Sequence, residues 1–236
     1  TAVSATCVTG LIVHDTFSHW TLFGQLVILL MIQLGGLGLM AFSVTFSLLL
    51  RRKIGLKERG ILQESVNTLQ IGGIVKLVRQ LLFGTLIFEG IGALLLAIRF
   101  AGDFGVGKGL YYGVFHSISA FCNGGFDLMG VREPGSSMTY YAGDPFVNLT
   151  LIFLIMIGGI GFLVWDDLLK NKWHFRRYRL HTKIVLSMSA VLLFGGALMF
   201  FVLESDGILA GEPVGKQILV SLFQSATTRT AGFNTA

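Results

Sequence analysis

The chain has 236 residues, of which 53% are hydrophobic and only 13% are charged, and its mean hydropathy is +0.73. A soluble globular domain carries about 25% charged residues, and a core of this size could not hide so much apolar surface behind so few charges. The composition therefore excludes a soluble enzyme domain and a disordered chain, and it indicates an integral membrane protein. Because the chain begins with Thr1 rather than Met, we expect it to be a piece of a longer protein.

Four apolar runs are long enough to cross a membrane, which takes about 20 residues. These runs are 20–50, 80–98, 145–165 and 182–203. Two shorter runs, 109–121 and 214–226, lead directly into glycine-containing segments. This arrangement predicts half-helices that enter the membrane and return to the same side.

The connections between these runs alternate in charge. Most Lys and Arg residues lie in 51–79 and 166–183, whereas the other connections are mainly acidic. The positive-inside rule therefore predicts that the basic connections are cytoplasmic and that the half-helices face outwards. The segment 57–79 is partly amphipathic, and three interpretations stay open for it: a helix on the inner membrane surface, a binding site for a cytosolic partner, or a solvated linker helix.

Three segments of the chain resemble one another. They are SATCVTGL at 4–11, SAFCNGGF at 119–126 and SATTRTAGF at 225–233, and Gly10, Gly125 and Gly232 hold the same place in each. A second pair, QLGGLGLM at 33–40 and MIGGIGFL at 156–163, lies in the span after its loop. The repeats predict a unit of span, half-helix, glycine-containing loop and span.

The repeated unit divides the chain into five predicted parts. Residues 1–50 are the end of a first repeat, 51–79 a basic cytoplasmic connector, 80–165 a second repeat, 166–181 a basic cytoplasmic loop, and 182–236 the start of a third repeat. The predicted fold class is an all-α integral membrane protein with re-entrant half-helices and filter loops.

A loop that returns from a half-helix can direct main-chain oxygens towards a shared axis, where they replace the water shell of a monovalent cation. Irregular backbone at membrane depth is tolerated where it lines such a wet cavity. Glycine suits the turn because it adopts positive φ without a steric cost. This chemistry needs no reactive side chain, so we expect no catalytic residue and no covalently bound cofactor.

The segments ATCVTGLIVHDT, HSISAFCNGGFDL and SATTRTAGFNT resemble the Trk/Ktr/HKT superfamily of potassium transporters, and they are most similar to the Ktr-type membrane subunit. The resemblance covers essentially the whole chain. It implies a pseudo-fourfold pore in a full-length chain of four units, with potassium as the transported ion. It also implies a homodimer, a cytosolic nucleotide-binding regulatory ring of the KtrA/TrkA type, and a location in the plasma membrane, the inner membrane in a bacterium. A gating element and a fourth loop would lie beyond Ala236.

Carried over by position, the resemblance implies that each loop supplies one quarter of a selectivity filter that coordinates potassium through main-chain oxygens. The quarters are Val8, Thr9, Gly10 and Leu11; Asn123, Gly124, Gly125 and Phe126; and Thr230, Ala231, Gly232 and Phe233.

Several polar residues near these loops are candidates for supporting roles. Arg229 precedes the third loop, and since a cation in the pore would repel potassium, we expect its side chain to point back into the protein and to bind carboxylates or carbonyls. Glu89 lies within a span, where two roles are open for it. It is either a structural anchor, protonated or paired within the bundle, or an ion relay. Asp15 and Asp127 could enrich cations at the outer mouth or be solvated loop acids. We expect His116 to be a hydrogen-bonded structural residue rather than a proton shuttle.

Two functions of other classes compete with ion conduction. Asp166 and Asp167 could bind a divalent metal in a membrane enzyme, or the chain could be a structural partner subunit. The GGxG segments are expected to pack helices closely, because no strand and no P-loop Lys accompany them. Cys7 and Cys122 lack metal-ligand spacing, and we expect both to be buried free thiols.

Overall fold

The computed structural model describes residues 1–38, 74–172 and 174–235, which form helices and turns without a strand among them. The α-helices are α1 (Ala2–Thr6), α2 (Thr16–His19), α3 (Leu22–Leu37), α4 (Ile74–Phe104), α5 (Val106–Phe121), α6 (Pro145–Gly159), α7 (Phe162–Asn171), α8 (Leu180–Glu204) and α9 (Val214–Thr230). Short 3₁₀-helices occur at Met129–Val131, Thr139–Tyr141 and Phe175–Arg177. The all-helical class is confirmed. Of the predicted connector 51–79, residues 51–73 lie outside the described residues.

Among the described residues, two helices are long and apolar enough to cross a membrane, judged by length and composition. They are Arg79–Phe104 within α4, and α8, which agree with the predicted spans 80–98 and 182–203. A 25-residue helix is about 37 Å long, compared with a hydrocarbon core of about 30 Å. Many apolar side chains of α8 are exposed, for example Phe194 and Leu198. Such a surface is suited to lipid contact and not to water.

The predicted span 145–165 is wrong in its continuity, because α6 and α7 are separated by a break and bent by 96° relative to each other. Gly161 in this break has a φ of +84°, a left-handed conformation that side chains disfavour. The indole Nε1 of Trp165 donates to the carbonyl oxygen of Ile157 at 3.1 Å, which satisfies one of the acceptors that the break leaves free. The chain therefore turns sharply where the sequence predicted an unbroken apolar helix.

The first predicted span, 20–50, is described only in its first part. Helix α3 ends at Leu37, and Gly38 follows it with a φ of +80°. Gly38 and Gly161 are the last glycines of the two GGxG segments, so in both units this glycine has positive φ and lies just after the end of a helix. The rest of this predicted span lies outside the described residues.

The predicted half-helices 109–121 and 214–226 are present as α5 and α9, and both are longer than predicted. Helix α5, with 16 residues, is about 24 Å long and too short to cross a membrane. Helix α5 packs along α4, and α9 packs along α8. Each short helix therefore returns beside the long helix that precedes it.

The most deeply buried part of the protein surrounds the loop after α5. The side chains that are fully enclosed there include Phe115, Phe126, Leu128, Met129 and Tyr141. Helices α4, α5 and α6 all contact one another around this loop. The second predicted repeat is thus a packed unit with its glycine-containing loop at the centre.

An ion-pair network joins the ends of α4 and α6. Arg99 Nε lies 2.6 Å from a carboxylate oxygen of Asp144, and Arg99 Nη1 lies 3.2 Å from Asp103. Arg132 pairs with Asp103 at 3.3 Å, and the hydroxyl of Tyr141 donates to Asp103 at 2.7 Å. These charge-assisted bonds fix the C-terminal end of α4 against the N-terminus of α6.

Candidate ion-conduction site

The three glycine-containing loops meet at one place in the structure. A Cβ atom added to Gly125 would lie 1.9 Å from the carbonyl oxygen of Ala231, and one added to Gly10 would lie 3.0 Å from the same oxygen. A Cβ atom added to Gly232 would lie 3.3 Å from the Cα of Gly10. The loops are therefore in contact around their glycines, although more than 100 residues separate each loop from the next along the chain.

Main-chain atoms fill the space around these glycines. The three heavy atoms nearest to each added Cβ belong to the backbone of another loop. They include the carbonyl oxygens of Ala231 and Gly124 near Gly10, and those of Thr9 and Gly10 near Gly232. All three glycines have positive φ, at +77°, +66° and +83° in chain order. The site gathers uncharged main-chain oxygens, the groups that can replace the hydration shell of a monovalent cation.

The first and second loops have the same backbone conformation. Val8 and Asn123, two residues before their glycines, also have positive φ, at +53° and +60°. The residue before each glycine donates its amide to a serine carbonyl in the preceding short helix: Thr9 to Ser4 at 2.9 Å, and Gly124 to Ser119 at 2.7 Å. The repeat in the sequence is thus matched by a repeat in the local structure.

The third loop differs because its helix continues further. Helix α9 includes Thr230, and Ala231 is the C-cap, so the first residue of the predicted third quarter is helical. The amide of Gly232 donates to the carbonyl of Thr227 at 3.3 Å, and the hydroxyl of Thr227 donates to the carbonyl of Phe233 at 2.8 Å. The extra residue that separates Ser-Ala from glycine in this segment lies in the helix.

His116 connects α5 with the backbone after the second loop. Its Nε2 accepts the amide of Leu128 at 3.2 Å, which requires the proton to lie on Nδ1, and Nδ1 lies 2.7 Å from the carbonyl of Tyr112. The imidazole is fully buried and stacks against Phe233 of the third loop. This geometry fits a structural histidine in its neutral form.

A loop segment around Ser137 holds the residues that follow the second and third glycines. Asp127 forms a hydrogen bond to the Ser137 side chain, and burial raises the pKa of Asp127 to about 6. The amide of Asn234 donates to Ser137 Oγ at 3.1 Å, and the amide of Met138 donates to the carbonyl of Asn234 at 2.8 Å.

Asp15 caps α2 through the amide of Ser18 at 2.7 Å.

Arg229 contacts α8 and α6. Its guanidinium lies 3.4 Å from the carbonyl oxygen of Ser189 and 3.3 Å from the hydroxyl of the same residue, and it also lies 3.4 Å from the sulfur of Met156. These are carbonyl and hydroxyl contacts of the kind that the sequence led us to expect. Its role in supporting the third loop stays a prediction.

The first glycine of each GGxG segment packs against the end of the short helix in its own unit. A Cβ atom on Gly35 would lie 2.0 Å from the carbonyl oxygen of Thr6, and one on Gly158 would lie 1.8 Å from that of Phe121. Thr6 and Phe121 each lie four residues before a loop glycine. The expected close packing at these glycines therefore brings a span against the base of its loop.

The two adjacent aspartates have structural partners. Asp167 is buried and accepts the amide of Arg179 at 2.8 Å and the side chain of Asn171 at 2.7 Å, so it lies at the N-terminus of α8. Asp166 pairs with Lys170 at 2.6 Å. No group of three or more potential metal-binding side chains occurs in the described part of the chain. Both carboxylates are therefore engaged by groups of the protein itself.

Sequence reasoning overlooked two residues of this region and misplaced a third. Gln33 was not singled out, although an amide within an uncharged apolar run indicates a buried partner, and it binds Glu89. Ser137 was missed because nothing in the sequence distinguishes it from other loop serines. Both cysteines are free as expected, but Cys7 is exposed and only Cys122 is buried, because α1 has few neighbours on that side.

Loops that gather main-chain oxygens beside spanning helices are a feature of membrane proteins that conduct cations. The TrkH family model, described as a cation transport protein, matches residues 1–236. The chain belongs to this family, which consists of transporters and not of enzymes.

Among curated proteins, the chain is 45% identical over 236 residues to the "Ktr system potassium uptake protein B" of Bacillus subtilis, covering 99% of the chain and 52% of that protein. It is 36% identical to the "Potassium/sodium uptake protein NtpJ" of Enterococcus hirae, covering 99% of the chain and 51% of the relative. A Vibrio alginolyticus "Ktr system potassium uptake protein B" is also 36% identical, with 99% and 51% covered. The chain spans about half the length of these relatives.

Proposed function

We propose that this chain contributes three quarters of a selectivity filter to the membrane subunit of a Ktr/Trk-type uptake system, and that the filter conducts potassium. The observation that carries the proposal is the contact between three loops of repeated sequence, in which main-chain atoms of the other loops lie nearest to each glycine. A fourth loop elsewhere in the full-length protein would complete a pseudo-fourfold ring. The names of the relatives, which include potassium and potassium/sodium uptake, support a monovalent cation as the substrate.

The same proposal includes the surroundings of the pore. The loops face the outside of the cell membrane and the basic connections face the cytosol, as the distribution of Lys and Arg predicts. The protein works as a homodimer with a cytosolic nucleotide-binding regulatory ring. Three relatives are named as parts of a Ktr system, which supports partner subunits in general.

The filter is tested in a bacterial strain that lacks its own potassium uptake systems and expresses the full-length protein. Gly125→Asp would place a side chain against the backbone of the third loop, in a conformation that disfavours any side chain. We expect potassium uptake to fall to background or to lose its preference for potassium over sodium. Gly90→Ala is the matched control, because a Cβ at Gly90 meets nothing within 4 Å. Normal, selective uptake by the Gly125→Asp variant would contradict the proposal.

The adjacent aspartates provide a second control. Alanine at both positions is not a suitable variant, because the Asp167 carboxylate binds the start of α8 and its loss would disturb folding. The double variant Asp166→Ala/Asp167→Asn keeps an acceptor at Asp167 and removes both charges. We expect it to retain potassium uptake, measured as in the glycine experiment. Loss of uptake with normal amounts of protein in the membrane would argue for a role of these carboxylates.

A further inference from the structure

A buried polar cluster lies at the end of α5, outside the three loops themselves. The Glu89 carboxylate on α4 accepts two hydrogen bonds from Nε2 of Gln33 on α3, at 3.0 and 3.2 Å. The thiol of Cys122 lies 3.8 Å from the same carboxylate and 4.0 Å from the Gln33 carbonyl oxygen. Glu89 is 6% exposed. The cluster therefore joins elements of the first and second repeats in the interior.

The cluster is adjacent to the point where the second loop begins. Cys122 is the C-cap of α5, and Asn123, the next residue, has the positive φ that starts the loop. Ser117 on α5 also donates to the main-chain carbonyl of Glu89 at 2.7 Å. Helix α4 therefore holds α5 at two levels near Glu89, through the backbone at one and through the carboxylate at the other.

A carboxylate at this position is unfavourable for the stability of the protein. Its contacts in the described residues are an amide and a thiol, without a basic side chain. An acidic group is disfavoured within the membrane, and it is also disfavoured beside a helix C-terminus, where the helix dipole is negative. An apolar side chain would be buried at a lower cost in free energy. The advantage of a carboxylate here is therefore the fixed geometry of its hydrogen bonds.

We propose that Glu89 is a positioning residue for ion selection: together with Gln33 and Cys122 it fixes the end of α5 against α3 and thereby sets the spacing of the oxygens in the second loop. Gly36 supports this role, because a Cβ there would lie 2.4 Å from the Cys122 sulfur, and α3 thus approaches the same thiol closely. The inference rests on the proposed function, since it assigns a residue to the control of that filter.

The test compares Glu89→Ala with Glu89→Gln in the full-length protein, expressed in cells that lack their own potassium uptake. Initial uptake rates are measured for potassium and for sodium over a range of concentrations and divided by the amount of protein in the membrane. Glu89→Ala removes the acceptors that hold Gln33, so the oxygens of the second loop can shift, and the potassium-to-sodium ratio should fall about tenfold. Glu89→Gln keeps an acceptor for Gln33 and should keep the ratio near that of the unmodified protein.

Gln33→Ala removes the same bond from the other side and should shift the ratio in the same direction, which keeps the test decisive if Glu89→Ala does not fold. Gly90→Ala is the control on the same helix. A purely structural role would reduce the amount of protein without changing the ratio, and that result would overturn the inference, as would equal ratios for Glu89→Ala and Glu89→Gln. Gly125→Asp is measured in parallel. If Gly125→Asp is the one variant that alters the ratio, the role of Glu89 is contradicted and the filter assignment is kept. If Gly125→Asp has no effect, the proposed function is contradicted.

Discussion

The first and second loops have the same backbone but very different surroundings. In both, the short helix ends four residues before the glycine, and the equivalent amide binds a serine carbonyl. Yet the residue after the glycine is 76% exposed in the first loop, at Leu11, and completely buried in the second, at Phe126. The loop conformation is therefore encoded locally by the helix end and the glycine, whereas burial comes from the spans around it.

The largest difference is expected from the residue that follows each glycine. Phe126→Ala should lower the free energy of unfolding by about 3–5 kcal/mol, because it leaves a cavity in the core. Leu11→Ala should cost less than about 1 kcal/mol if Leu11 is exposed in the full-length protein as it is here. Thermal unfolding of the detergent-solubilised full-length protein measures both. Equal losses would show that other segments of that protein cover the first loop.

The close approach of each span to its short helix gives the next largest effect. Gly158→Ala should cost about 1–3 kcal/mol, because the added methyl group meets the carbonyl of Phe121 within a packed unit. Gly35→Ala creates a similar overlap with Thr6, but the first unit has more room to shift, so a smaller loss is expected. Gly195→Ala, where a Cβ meets nothing within 4 Å, is the control in the same unfolding measurement. The reverse order would show that the first unit is the more rigid one.

The N-caps of the two equivalent spans differ in strength. Asp144 caps α6 through the amides of Phe146 and Val147 and also pairs with Arg99, whereas Thr21 caps α3 through a single 3.4 Å bond. Asp144→Ala should cost about 1–2 kcal/mol and Thr21→Ala a few tenths. Asp144→Ser restores the cap without the ion pair, so its unfolding temperature separates the two contributions. A Thr21→Ala loss as large as that of Asp144→Ala would contradict this ranking.

The smallest effect is expected at an ion pair outside the packed core of the second unit. The Lys170 side chain that pairs with Asp166 is 61% exposed, and exposed pairs contribute about 0–1 kcal/mol. Asp166→Ala should therefore leave the unfolding temperature within about 2 °C of the unmodified protein. A large decrease would mean that this ion pair contributes more to stability than the exposure of Lys170 predicts.

The sequence predicted the elements that depend on composition and on recurrence. Apolar runs located α4 and α8, and the repeated segments located the three loops. It did not predict the break at Gly161, because an uninterrupted apolar run gives no sign of where a glycine will leave the helix. It also missed the partner of Glu89: Gln33 is 56 residues away, and only the packing of α3 against α4 and α5 brings the two together.

A site that is built from main-chain oxygens places few requirements on the side chains of its loops. VTGL, NGGF and TAGF share glycine at the third position and nothing else across all three. The residues that flank this glycine therefore differ among the three loops, while the positive φ of the glycine is common to them. A search for a long shared motif would overlook these loops, whereas the recurrence of one small residue at intervals of roughly a hundred positions reveals them.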